Sequence, residues 1–160
     1  MQAIRVGMGF DVHRLVAERA FCLGGIQIQH EKGLLGHSDA DALIHALCDA
    51  LLGAAGLRDI GSHFPDTDES YKNVDSKILL KKTMSLVRSE SYEFGNADIT
   101  VCLENPRLNP HIPLMITCLS ETMGVNPGAI SIKATTSEKM GYIGREEGIA
   151  VYATVLIHKL

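Results

Sequence analysis

No long run of lysine or arginine occurs in this 160-residue chain, and its formal net charge is −4. Broad binding to nucleic acid or to a membrane surface is therefore not expected, although the balance leaves room for a local cationic pocket. No apolar stretch approaches the ~20 residues that a bilayer-spanning helix needs. The four cysteines, Cys22, Cys48, Cys102 and Cys118, are scattered and form no C-x-x-C pair. They read as reduced thiols, because a chain of this length builds a core without disulfide staples. Internal repeats, low-complexity tracts and linkers are missing, so one domain over residues 1–160 is expected. No signal-peptide pattern precedes the first strand, and a transit peptide is missing or already removed. A bacterial cytosol is the expected location, with a processed plastid protein as the other reading. Nor is there a Ser-His-Asp or Cys-His pattern of the kind that marks a protein nucleophile.

What is present is 46% hydrophobic and 21% charged, the balance of a globular protein with a sizeable core. It is organised around residues 36–57, GHSDADALIHALCDALLGAAGL. Ser38 stands where a helix N-cap belongs and Asp41 follows it. Ala42, Leu43, Ala46, Leu47, Ala50 and Leu51 then recur at helical spacing. The same period places Asp41, His45 and Asp49 on a second, polar stripe. Such a stripe is either a metal ligand with hydrogen-bonding neighbours or a solvated face carrying a satisfied histidine.

Residues 4–10 read as a strand, after which Asp11 and His13, two apart, share one side while Val12 is expected to face the core. Residues 21–23 and 26–28 flank Gly24-Gly25 as a β-hairpin, and a polar loop through Lys32 leads to the central helix. Residues 58–68 lack periodicity and read as a long loop, a type usually functional or mobile. Helices are expected over 75–89 and from about Pro110 to Gly124, and strands over 97–103, 130–136 and 149–157. The order describes an α/β (α+β) domain with one mostly four-stranded mixed sheet, helices on one face and a small hairpin. A sheet bare on its other face calls for a partner, most simply another copy of the chain.

Asp11, His13 and His45 form a candidate ligand set of one oxygen and two imidazole nitrogens. That set suits zinc, and three protein ligands leave a fourth position for water or substrate. The bland alternative for each is a hydrogen-bonded polar residue. His37 and Ser38 lie at a helix start, where free N–H groups and the helix dipole favour anions such as phosphate. Thr135-Thr136-Ser137-Glu138 offers hydroxyls for phosphate oxygens and a carboxylate for a hard divalent ion, although a β-edge threonine run is equally common. Asp59 and the loop 64–68 could hold a hydroxylated substrate or be an acidic surface turn.

Five blocks give a resemblance: Gly9-Phe10-Asp11-Val12-His13; residues 33–45, from Gly33 to His45; Asp59-Ile60-Gly61; Phe64-Pro65-Asp66-Thr67-Asp68; and residues 133–141, KATTSEKMG. They resemble, in register from Arg5 to Ile157, the 2-C-methyl-D-erythritol 2,4-cyclodiphosphate synthase family. The resemblance implies a lyase of the non-mevalonate isoprenoid pathway. Its substrate, 4-diphosphocytidyl-2-C-methyl-D-erythritol 2-phosphate, turns its own 2-phosphate on its β-phosphorus and expels CMP. It implies zinc on Asp11, His13 and His45, and a second cation, Mg²⁺ or Mn²⁺, near Glu138. His37 and Thr136 would stabilise the transition state, and Asp11, Val12, His13, His37 and Ser38 would line the phosphate. Asp59, Ile60, Gly61, Phe64, Pro65, Asp66, Thr67 and Asp68 would hold the methylerythritol part, with Tyr142 and Arg145 also at the substrate.

The cytidine pocket would be built from Leu103, Glu104, Asn105, Pro106, Arg107, Leu108 and Asn109 with Ala134, Thr135, Thr136, Ser137 and Glu138. The family is a homotrimer with active sites between subunits. Phe10, Arg145 and Glu147 match a central cavity that holds an isoprenoid diphosphate in related proteins. Arg107 stands where many relatives carry lysine, and Tyr142 where phenylalanine is common. Two other functions keep the same metal residues. One is a zinc phosphohydrolase giving a linear phosphate, the other a non-catalytic trimer that binds isoprenoid diphosphates.

Overall fold

A computed structural model describes residues 3–160. Its first strand, β1 (Ile4–Ala17), and first helix, α1 (Ala42–Ala55), meet at backbone range. A Cβ added at Gly7 would lie 2.0 Å from the Ala50 carbonyl oxygen, and one at Gly9 would lie 1.9 Å from that of Ala46. Only glycine permits such an approach. On the helix side the contact is made by Ala46, Ala50 and Ala54, all fully buried.

The face of β1 that meets α1 is the odd-numbered one, with Gly7, Gly9 and Leu15 buried. Asp11 and His13 therefore point into the helical layer. Val12 does not face the core as expected: it lies on the opposite face and is 47% exposed. The reason is that glycine rather than valine marks the covered side of this strand.

The sheet has five strands in the order β4-β1-β7-β5-β6, not four. Its other members are β4 (Lys32–Leu35), β5 (Tyr92–Cys102), β6 (Ile130–Thr135) and β7 (Gly148–Lys159). The additional strand, β4, pairs antiparallel with the far end of β1, Leu15 opposite Leu34 and Ala17 opposite Lys32. Four residues beginning Lys-Gly carry no readable alternation, which is why only a loop is expected there from pattern. Only β5 and β6 run parallel, joined by the crossover helix α4 (Ile112–Met123).

The hairpin β2 (Phe21–Leu23) and β3 (Ile26–Ile28) forms a separate two-stranded sheet. It is fastened to α1 by Asp41, whose carboxylate accepts from Gly24 N at 3.0 Å, Gly25 N at 2.7 Å and Ile44 N at 3.0 Å. Asp41, and not Ser38, is thus the N-cap of α1. Burial pushes the carboxyl of Asp41 up in spite of these N–H groups. Asp49 accepts from Ile60 N at 2.7 Å and so holds a short helix, α2 (Ile60–His63), inside the stretch expected to be loop. Of the polar stripe on α1, only His45 remains to face Asp11. Helix α3 (Ser76–Ser89) packs on α1, and a short α5 (Gly141–Gly144) precedes β7.

The sheet face away from α1 is open, and along β1 and at Tyr152 it is apolar. Val6 is 65%, Met8 67%, Phe10 43% and Tyr152 45% exposed, with the Phe10 and Tyr152 rings in contact at 5.0 Å. Among the described residues no helix is long and apolar enough to cross a membrane.

Candidate active site

The glycine contact between β1 and α1 delivers His45 to the middle of β1, beside Asp11 and His13. Asp11 Oδ2 lies 3.0 Å from His13 Nδ1 and 3.2 Å from His45 Nδ1, and the two imidazole rings are 5.3 Å apart. Burial would raise the Asp11 pKa, but the two histidines beside it outweigh burial and hold the carboxyl below its usual value. His45 is the mirror case: burial would lower it, and Asp11 lifts it above. His13 Nδ1 is buried yet makes no hydrogen bond, because Asp11 Oδ2, although near, is not aligned for one.

An orphaned imidazole nitrogen beside a carboxylate and a second imidazole is a donor set in want of a cation. Among the described residues Asp11, His13 and His45 are the one such group, with one donor atom from each lying within 4.8 Å of the others. The residues fit a divalent ion.

Beside them opens a cavity of about 360 Å³ lined by His37, Ser38, Ile60, Gly61, Phe64, Pro65, Asp66, Tyr71, Val74 and Leu79. The expected phosphate residues His37 and Ser38 and the expected loop thus reach the same space as His13 and His45. Tyr71, Val74 and Leu79 escaped the sequence reading, being apolar or aromatic residues with no motif of their own. Asp59, Thr67 and Asp68 do not line this cavity. Asp59 caps α2, accepting from Ser62 N and Ser62 Oγ, both at 2.8 Å. Asp68 caps the 3₁₀ turn Glu69–Tyr71 through Ser70 N at 2.9 Å.

A second cavity, of about 380 Å³, is lined by Leu103, Glu104, Pro106, Arg107, Leu108, Asn109, Pro110, Ala134, Thr135 and Thr136. The expected nucleotide residues come together here from the ends of parallel strands β5 and β6. The carboxylate of Glu104 accepts from Ser137 N, Ser137 Oγ and Lys139 N at 3.1–3.2 Å, tying the two loops together. Asn105 donates to Glu146 at 2.9 Å and precedes a cis proline, Pro106. Asn105, Ser137 and Glu138 do not line this cavity, and Glu138 is exposed with a positive φ of 54°.

The two cavities share no residue. Asp11 pairs with Val151, Val151 with Val101 and Val101 with Ala134, so Asp11 and the second cavity stand on one row of the sheet. Three strand spacings separate them, roughly 14 Å.

The sequence profile of the YgbB family matches residues 4–158. The chain belongs to the YgbB family. Relatives named 2-C-methyl-D-erythritol 2,4-cyclodiphosphate synthase include one from Parabacteroides distasonis, 65% identical over 98% of both chains. One from Porphyromonas gingivalis is 60% identical over 96% of this chain and 94% of its own. Among solved YgbB-like structures, the bifunctional IspDF of Campylobacter jejuni superposes with a TM-score of 0.96 at 43% identity. It covers all of this chain, which spans 43% of that longer protein. The Plasmodium falciparum IspF complex with CDP superposes at 0.87 and 32% identity, covering 99% of this chain and 98% of its own.

Proposed function

We propose that this protein converts 4-diphosphocytidyl-2-C-methyl-D-erythritol 2-phosphate into 2-C-methyl-D-erythritol 2,4-cyclodiphosphate and CMP. The observation that carries the reading is the convergence of Asp11, His13 and His45 at the mouth of a cavity also lined by His37 and Ser38. Relatives at 60–67% identity bear the synthase name. In the reaction an oxygen of the 2-phosphate bonds to the β-phosphorus, the bond from that phosphorus to its bridging oxygen breaks, and CMP departs with that oxygen. The nucleophile belongs to the substrate, so the chain has to position and neutralise.

Asp11, His13 and His45 would hold zinc, which when bound supplies a Lewis acid for a phosphate oxygen. Glu138 is the candidate contact for a second ion, Mg²⁺ or Mn²⁺. His37 and Ser38 line the phosphate end, the walls from Ile60 to Asp66 hold the methylerythritol, and the second cavity takes cytidine, as the CDP bound to the Plasmodium relative supports. Thr136 stands at the cytidine cavity, and its Oγ accepts from Glu138 N at 3.3 Å.

His37 and Thr136 belong to different cavities of one chain. A substrate touching both is best served by two chains, the second cavity of one facing the metal triad of its neighbour. The open face of β1 and β7, apolar at Val6, Met8, Phe10 and Tyr152, offers a surface for such association, and a trimer is the assembly we propose, in keeping with the family resemblance. Phe10, Arg145 and Glu147 would then line a central cavity able to hold an isoprenoid diphosphate. Arg145 is paired with Glu147 through two hydrogen bonds of 2.9 and 3.2 Å. Tyr142 and Arg145 also border a groove beside Val12 and Arg14. A bacterial cytosol is the proposed location.

³¹P NMR of the protein with the cytidyl substrate, Zn²⁺ and Mg²⁺ tests the proposal. Cyclic diphosphate resonances with CMP, lost on chelation, are expected. A linear phosphate product would make the protein a hydrolase instead.

A further inference from the structure

His45 presents Nδ1 to Asp11, and two hydroxyls converge on its other nitrogen. Ser76 Oγ lies 3.0 Å and Ser38 Oγ 3.2 Å from Nε2. The two hydroxyls are not equivalent. Ser76, the first residue of α3 and fully buried, donates its own hydroxyl hydrogen to Asp39 Oδ1. The same carboxylate is fixed by Ser76 N at 3.0 Å on Oδ2 and by Asp41 N at 3.2 Å on Oδ1. With that hydrogen committed to a carboxylate, Ser76 can offer the ring only a lone pair. In the neutral ring Nε2 then carries the proton and Nδ1 turns a lone pair toward Asp11 and His13, where a cation would bind; only the charged ring donates from Nδ1 to Asp11.

We propose that Ser76, oriented by Asp39, is a positioning residue that selects the Nε2–H tautomer and the ring angle of His45 for metal binding. The proposal rests on the metal reading of the Asp11, His13 and His45 group. A metal-bound histidine commonly donates its other N–H to a carboxylate; here the hydroxyl of Ser76 relays that contact. The relay also joins the site to the substrate loop. Asn73 N donates to His37 O at 2.9 Å and Asp39 N to Val74 O at 3.2 Å, so residues 37–39 and 73–76 are laced together across the cavity.

The test compares wild type, Ser76→Ala, Ser76→Thr and His45→Ala by two readouts. One is ¹⁵N NMR of the His45 ring in metal-free protein, at a pH high enough for the ring to be neutral; the other is Zn²⁺ affinity by calorimetry, with circular dichroism confirming the fold. The wild type is expected to show the Nε2–H pattern. In Ser76→Ala that pattern should give way to a tautomer mixture and Zn²⁺ affinity should fall about 10- to 100-fold. Ser76→Thr, which keeps the hydroxyl, should restore both. An unchanged tautomer in Ser76→Ala would overturn the positioning role, whatever the metal result. Zn²⁺ affinity as high in His45→Ala as in wild type would overturn the metal reading on which the proposal stands, while the ring spectra still report on the relay by themselves.

Discussion

Asp11 and His45 depend on each other for their protonation, and that dependence has a pH signature in the metal-free protein. Asp11 is held below its ordinary 3.8 and His45 above its ordinary 6.5, burial opposing the pair in both cases and losing. A depressed acid adds stability above its unfolded pKa and loses it as pH falls through the folded value. A raised base adds stability below its unfolded pKa and loses it as pH rises through the folded one. The pair therefore stabilises the metal-free fold between about pH 4 and 6.5 and does less on either side. Thermal unfolding of wild type against His45→Ala should show a Tm gap of about 2–4 °C inside that window, narrowing outside it. A gap independent of pH would contradict the coupling. With Zn²⁺ present, His45→Ala should bind no metal at the triad and turn over no substrate. Thr136 carries a different expectation. Thr136→Val should lower kcat about 10- to 100-fold while CMP affinity in a binding titration changes little, the mark of an interaction made in the transition state. Equal losses in both would make Thr136 a ground-state contact.

The contact of β1 with α1 sets where Asp11, His13 and His45 stand relative to one another, and single methyl groups test it. Gly9→Ala would drive a Cβ against the Ala46 carbonyl, costing about 1–3 kcal/mol or more in urea unfolding, and should weaken Zn²⁺ binding by moving His45 away from Asp11. Gly53→Ala, on the same helix with nothing within 4 Å, should stabilise by up to ~1 kcal/mol and leave metal affinity alone. Strong periodicity made α1, α3 and α4 legible in the sequence, and turn chemistry made the hairpin so. Asp11, His13 and His45 were legible as a set because strand and helix periods each placed them on one side. What stayed hidden depended on contacts remote in sequence. The capping of α1 by Asp41 is decided by the hairpin glycines it also grips, and β4 exists only because β1 extends to Ala17. Ser76 reaches His45 across 31 positions. Asp59 and Asp68, expected from the resemblance at the substrate, also cap local turns through Ser62 and Ser70, contacts that no pattern in the sequence announces.

At the level of the whole molecule, the open face of the sheet is the feature that a lone chain leaves unexplained. Val6, Met8, Phe10 and Tyr152 form an apolar surface on the side away from α1, of a kind soluble proteins seldom leave to water. Phe10→Glu should shift the protein toward monomer in light scattering and abolish turnover, with Zn²⁺ binding at the triad kept. Full activity in a monomeric variant would overturn the shared-site reading. The placing of the two cavities on separate parts of each chain also reaches into genetics. If every working centre draws one cavity from each of two neighbours, a defect in one copy is repaired by a sound surface on the next. Where this pathway is essential, cells expressing His45→Ala alone should fail to grow and cells expressing Thr136→Ala alone should grow slowly. Co-expression of the two alleles should restore growth, with roughly one centre in four intact by random assembly. Two defective alleles of one gene would complement each other.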